Sequence, residues 1–181
     1  MTTAQAESTI PTGTWRSDPV HSHVGFAVTH NQVATFRGSF SDFDAELSDE
    51  VGGPKLRGAV RAGSVQVPDE DLRAHLLSPD FFDGERYPEI TFESTSIRAD
   101  GDDLIVEGEL TIRGETMAVE ARGRLTGPAT GMGEVEKVGL ELETAVDRTE
   151  FGLNWNAPLP KGGFALANDV KLTVELELVQ A

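Results

Sequence analysis

The feature of this chain that most restricts its fold is an alternation of apolar and polar residues, repeated in segment after segment. Near the C-terminus Val138, Leu140, Leu142 and Thr144 alternate with Gly139, Glu141, Glu143 and Ala145. The last segment sets Val170, Leu172, Val174, Leu176 and Leu178 against Lys171, Thr173, Glu175 and Glu177. Successive side chains of a strand point to opposite faces, so a period of two gathers the apolar residues on one side. A sheet with one apolar and one charged face has to close over the apolar face. The simplest closure is an all-β, antiparallel up-and-down barrel, whose interior has room for a ligand at this chain length.

The alternation runs through most of the sequence. Residues 1–12 read as a disordered lead-in to a single domain over 13–181. Strands are predicted over 14–16, 21–30, 35–47, 56–67, 89–95, 104–112, 117–125, 135–146 and 169–179, nine ranges for a barrel of about eight or nine strands. Gly38 is where a bend or bulge is expected. Asp69 is placed to cap one short helix over 69–77, with Leu72, Leu76 and Leu77 turned inward. Asp18-Pro19 and Asp100-Gly101 mark turns, and 127–133 and 154–163, rich in glycine or proline, read as loops.

Composition excludes several classes of function. The formal net charge is −16, from 31 acidic and 15 basic residues, so the surface repels nucleic acid and anionic bilayers. Such a charge suits solubility or a salt-adapted surface. With no cysteine there is no disulfide, thiol nucleophile or thiolate metal site. Residues 1–10 lack the basic and apolar regions of a secretory signal, and no run approaches the ~18 apolar residues of a membrane span. The expectation is a cytoplasmic protein with no stable membrane insertion.

Catalytic patterns are missing from the sequence: no Gly-x-Ser-x-Gly, no His-Glu-x-x-His and no phosphate-cradling glycine loop. No enzyme activity is expected. His21 and His23 share one strand face, with His30 on the other, and zinc needs three or four ligands, so no metal site is expected. Arg148, between Asp147 and Glu150 at a strand end, reads as an ion pair fixing a loop, with a headgroup contact as the alternative. Nine phenylalanines, at positions 26, 36, 40, 43, 81, 82, 92, 151 and 164, either line a tunnel or pack the lumen. An eight-stranded barrel can be filled by its own side chains, so the residues alone leave both open.

The motifs fall in a telling order. Asp18-Pro-Val-His21-Ser22 and Val24-x-Phe26-x-Val28-x-His30 open the chain, followed by Phe36-x-Gly38-x-Phe40-x-x-Phe43. Then come His75-Leu76-x-Ser78-x-Asp80-Phe81-Phe82-Asp83, Tyr87-Pro88-x-Ile90-x-Phe92-x-Ser94, Gly108-x-Leu110-Thr111-Ile112-x-Gly114 and Arg148-x-x-Phe151-Gly152. Over roughly residues 13–180 the chain resembles the YceI-like family of polyisoprenoid-binding proteins. It departs from that pattern where the family often carries Arg-Asp-x-His-Leu: here Leu72-Arg73-Ala74-His75-Leu76 shifts the basic residue and lacks the acid.

The resemblance implies an eight-stranded lipocalin-like barrel with an apolar lumen. Its partner would be an isoprenoid lipid, such as a polyprenyl carrier or prenyl quinone, with no cofactor and with a homodimer as the expected assembly. The lumen would be lined by Val24, Phe26, Val28, His30, Phe36, Phe40, Phe43, Phe81, Phe82, Ile90, Phe92, Leu110, Ile112, Leu142, Arg148, Leu172 and Val174. His21, His30, Arg61 and Arg148, near strand ends, are the candidate headgroup contacts, and Phe81 and Phe82 the candidate gate. The rival expectation is a packed barrel acting as a stress or interaction protein with no lipid.

Overall fold

The computed structural model describes residues 10–181. The described chain enters the first strand through Ile10, which packs against the core, and Thr12, whose carbonyl accepts from the Trp15 indole N–H at 3.0 Å. Residues 1–9 of the expected lead-in lie outside the described residues.

Eleven strand segments follow: β1 Thr14–Ser17, β2 His23–His30, β3 Ala34–Phe40, β4 Phe43–Glu50, β5 Gly53–Arg61, β6 Val65–Gln66, β7 Glu89–Asp100, β8 Asp103–Ile112, β9 Glu115–Thr130, β10 Glu136–Asp147 and β11 Leu166–Gln180. They amount to eight strands, because three strands are each broken by a corner. β1 and β2 lie end to end along β11, with Trp15 opposite Gln180 and Val24 opposite Val174. β4 and β3 continue the pattern along β1 and β2, and β5 and β6 along β4 and β3. From β5 the order runs β7, β8, β9, β10 and β11, every pair antiparallel, and the β1–β11 pairing closes the barrel.

The corners at Asp18–Ser22, Ser41-Asp42 and Ala62–Ser64 are tied to one another or to the adjoining strand. Asp18 N–H donates to the Glu177 carbonyl at 2.8 Å, Arg61 N–H to the Asp42 carbonyl at 2.9 Å, and Ser41 N–H to the Ser64 carbonyl at 3.2 Å. Arg73, the shifted basic residue of the helix, donates to the Val65 and Gly63 carbonyls and so anchors the third corner. Breaks of this kind let a sheet turn sharply enough to close.

The expected bend at Gly38 is therefore misplaced by three or four residues. Gly38 stays within β3, opposite Phe26, and a Cβ there would overlap the Phe26 ring. The expected loop over 127–133 is also shorter than expected: β9 continues to Thr130, opposite Glu136, and only Gly131–Val135 turns. Glycine in a strand marks close approach as readily as a bend, and sequence cannot separate the two.

Pairing between β10 and β11 explains why the alternation holds. Val138 opposes Leu178, Leu140 opposes Leu176, Leu142 opposes Val174 and Val146 opposes Val170. Each is a same-face apolar pair, the unit that stabilises a sheet. The single helix α1, Glu70–Leu77, is capped as expected, Asp69 accepting from Leu72 N–H at 2.8 Å. It lays Leu72, Leu76 and Leu77 against the barrel.

Two apolar clusters share the interior. One, with Trp15, Leu47, Leu56, Leu104, Val106, Val138, Leu140 and Leu178, fills one end of the barrel with almost no exposed surface. The other, with Phe40, Val65, Leu76, Phe81, Leu110, Val146, Phe151 and Leu153, forms walls and supports at the end bearing α1.

A candidate ligand-binding cavity

A cavity of about 650 Å³ opens above the packed cluster, whose Leu56, Leu142 and Leu176 form its floor. Pockets that hold small organic ligands fall in the range of about 300–1,000 Å³. The walls are the inward faces of the strands: Val24, Phe26 and Val28 from β2, Ile90 and Phe92 from β7, Leu110 and Ile112 from β8, and Leu172 and Val174 from β11. Two rings lie flat on the wall because each has a glycine beneath it. Phe26 covers its direct partner Gly38 and Phe92 covers its diagonal neighbour Gly108, which is in register with Ser94, and a Cβ at either glycine would overlap the ring. Folded against the sheet, these rings leave the lumen open.

The aromatic residues form two groups. Phe26, Phe36, Phe40 and Phe82 meet with centroid separations of 5.8–6.4 Å, the usual range for favourable tilted and edge contacts. His75, Phe81 and Trp155 form the second, with the imidazole edge-on to both neighbours at 5.0 and 4.8 Å. His75 also bonds through Nε2 to Asp80 Oδ2 at 3.0 Å, which fixes the ring from outside the cavity.

All seventeen residues named as lining from the sequence border this cavity. Of the four proposed headgroup contacts, only His30 and Arg148 do so. His21 pairs with Asp18 at 2.8 Å on the exposed first corner, and Arg61 pairs with Asp44 and Glu89 at 2.8 and 3.5 Å on the outer face. Phe164, in the aromatic set, is exposed.

Arg148 corrects another expectation. Its guanidinium pairs with neither Asp147 nor Glu150 among the described residues. Only 6% exposed, it donates from Nε to the Ala167 carbonyl at 2.9 Å and from Nη1 to the Leu153 and Trp155 carbonyls at 2.6 and 2.8 Å. Burial pushes its pKa down and the nearby Asp147 charge opposes that, yet guanidinium stays protonated in proteins. Asp147 instead accepts from Thr149 N–H and Oγ1 at 2.9 and 2.6 Å, capping the 3₁₀ turn Arg148–Phe151, and these bonds hold its carboxyl below the ordinary range. The loop is thus fixed by carbonyl contacts that leave no periodic signature in the sequence.

Sequence reasoning missed His75, Leu153, Trp155 and Leu166 as lining residues. His75 was within reach, since Leu72, His75 and Leu76 occupy one helix face at the i, i+3, i+4 spacing. Trp155 stands in an irregular loop and offered no such signal. Outside the cavity, Asp18, His21 and Glu177 bring ligand atoms within 4.8 Å of one another, but the Lys137 ammonium already pairs with Glu177.

A closed eight-stranded antiparallel barrel with an apolar interior and one covering helix defines a lipocalin-like barrel protein. The chain belongs to the YceI-like family: residues 15–178 match the YceI-like domain. Among curated relatives, the UPF0312 protein SERP2314 of Staphylococcus epidermidis is 30% identical over 167 residues, covering 88% of this chain and 94% of that one. Protein YceI of an Escherichia coli strain is 31% identical over 136 residues, covering 74% and 71%. Among solved structures, Burkholderia cenocepacia BcnA superposes with a TM-score of 0.74 at 21% identity, over 91% of this chain and 99% of that one. A polyisoprenoid binding domain from Saccharophagus degradans superposes with a TM-score of 0.66 at 10% identity, over 94% and 100%.

Proposed function

We propose that this protein binds a long apolar amphiphile, a polyisoprenoid or prenyl quinone, in the barrel lumen and stores, transports or sequesters it. The observation that carries this reading is the cavity of about 650 Å³ walled by aliphatic and aromatic side chains. Each CH₂ removed from water contributes ~0.8 kcal/mol, so a few isoprene units outweigh the cost of ordering the chain. Contacts of this kind discriminate weakly by length, and selection falls to the polar groups at the rim, His30 and His75, and to the buried Arg148. The polyisoprenoid-binding domain with the same fold supports the ligand class. The protein acts in this reading as a binder and not as an enzyme.

The test is mass spectrometry of organic extracts from protein purified gently from its native host, beside a mock purification. A prenyl chain at near-stoichiometric amount supports the carrier and identifies tail and headgroup together. A clean extract, with no uptake of added prenyl quinones, sinks it in favour of an interaction protein without a lipid.

A further inference from the structure

The rim of the cavity is not uniform in charge. The chain carries 31 acidic residues, yet none lies between Pro19 and Ser41 or between Phe151 and Asn168. These two acid-free segments meet at the mouth of the cavity. Leu166 pairs with His30, and Asn31 N–H donates to the Ala165 carbonyl at 2.7 Å. Their tips carry Val33, 87% exposed, and Phe164, 59% exposed. Arg37 and Lys161 are exposed on the same segments, and among the described residues neither pairs with a carboxylate.

Other exposed apolar residues sit in different company. Val20 follows Asp18 on the first corner, Val51 follows Asp49 and Glu50, and Met132 precedes Glu134. Across the mouth, the helix and its following loop carry Asp69, Glu70, Asp71, Asp80 and Glu85. Exposed apolar residues, unpaired cations and freedom from acid coincide on one side of the mouth.

We propose that this rim docks on the surface of a phospholipid bilayer. Val33 and Phe164 enter the boundary between headgroups and acyl chains, and Arg37 and Lys161 meet lipid phosphates, Arg37 reaching along the wall on its long stem. The net charge of −16 sets the orientation. An approach through the helix side presses carboxylates against phosphates, while these two segments bring none and Asp169 lies just beyond the second. Two side chains and two cations make a weak, reversible contact, and the mouth then faces the phase in which an isoprenoid dissolves. The purpose of the contact rests on the carrier reading, although its geometry does not.

The test uses the full chain and sucrose-loaded phosphatidylcholine vesicles containing a minority of phosphatidylglycerol, read by co-sedimentation. Uptake of a fluorescent prenyl alcohol, diluted from ethanol without vesicles, is measured separately. The expected result is wild-type sedimentation that weakens with salt, and a loss of at least about tenfold in vesicle affinity for Val33→Asp with Phe164→Asp. Arg37→Glu with Lys161→Glu should lose the salt-dependent part, while Val51→Asp with Met132→Asp sediments like wild type. All variants should keep prenyl uptake and wild-type circular dichroism. Wild-type protein that stays in the supernatant, or rim variants that sediment unchanged, overturns the proposal and leaves the rim to water or a protein partner. Uptake without vesicle binding refutes docking alone; vesicle binding without uptake refutes the carrier and leaves docking standing.

Discussion

Phe26 lies over Gly38, its direct partner across β2 and β3, so that one residue's missing side chain is the seat of the other's ring. Phe92 lies over Gly108 on β7 and β8 as a diagonal neighbour, Gly108 itself facing Ser94 in register. Both rings are thereby kept on the wall. Gly38→Val should destabilise the protein by about 1–3 kcal/mol, although valine is the better strand former, because overpacking outweighs propensity. Chemical denaturation checks this. The variant should also bind less prenyl alcohol, since the displaced ring enters the lumen. Combining it with Phe26→Leu should restore much of the stability, and no recovery would show that the clash lies elsewhere.

Arg148 is the only donor to the Leu153 and Trp155 carbonyls among the described hydrogen bonds. Arg148→Met retains bulk and removes the donors, leaving buried carbonyls unsatisfied. The expected loss is about 3 kcal/mol, partly offset by removal of a buried charge. In a chain of this size that lowers the thermal midpoint by roughly 6–12 °C, measured by calorimetry. A shift of a degree or less would mean that water replaces the guanidinium.

The lumen itself can be filled. Val174 opposes Val24 on one side and Leu142 on the other. Val174→Trp should project an indole into free space, lower prenyl affinity at least about tenfold and leave the thermal midpoint within a few degrees. Unchanged binding would place the guest outside this cavity.

His21 and Asp18 give a pH dependence with a defined sign. The bond to Asp18 raises the His21 pKa above its ordinary 6.5, and the bond to His21 lowers the Asp18 carboxyl below its ordinary 3.8. The His21 contribution is complete below the ordinary histidine value and fades as pH rises through the raised one. The Asp18 contribution is complete above the ordinary aspartate value and fades as pH falls through the lowered one. The pair thus holds the first corner best between those two values, and weakly, since both groups are exposed and screened. An NMR titration should place the His21 midpoint above 6.5 and return it in Asp18→Asn. The same midpoint in both proteins would refute the pairing.

The strands were legible because a half-buried strand writes its faces into the sequence, as the β10–β11 register confirms residue by residue. The helix was legible through its cap. The first corner was legible in Asp18-Pro19, and the other two corners were not. Ser41-Asp42 and Ala62–Ser64 carry no proline and only one glycine, and their bonds run to residues distant in sequence. The lining was readable wherever it alternates, and unreadable in Leu153 and Trp155, which an irregular loop brings over the mouth. Arg148 shows the limit most clearly: acids on either side suggested an ion pair, but the side chain folds inward to carbonyls that no pattern announces.

The cluster around Trp15 and Leu178 that closes one end of the barrel has a consequence for traffic. It makes the lumen a cul-de-sac. Under the carrier reading a linear guest would slide in end-first and retreat along the same track, so that loading and unloading would be one movement run in two directions. A chain longer than the track would leave its remainder standing at the threshold, within reach of a neighbouring molecule. Length would then be gauged by how much protrudes.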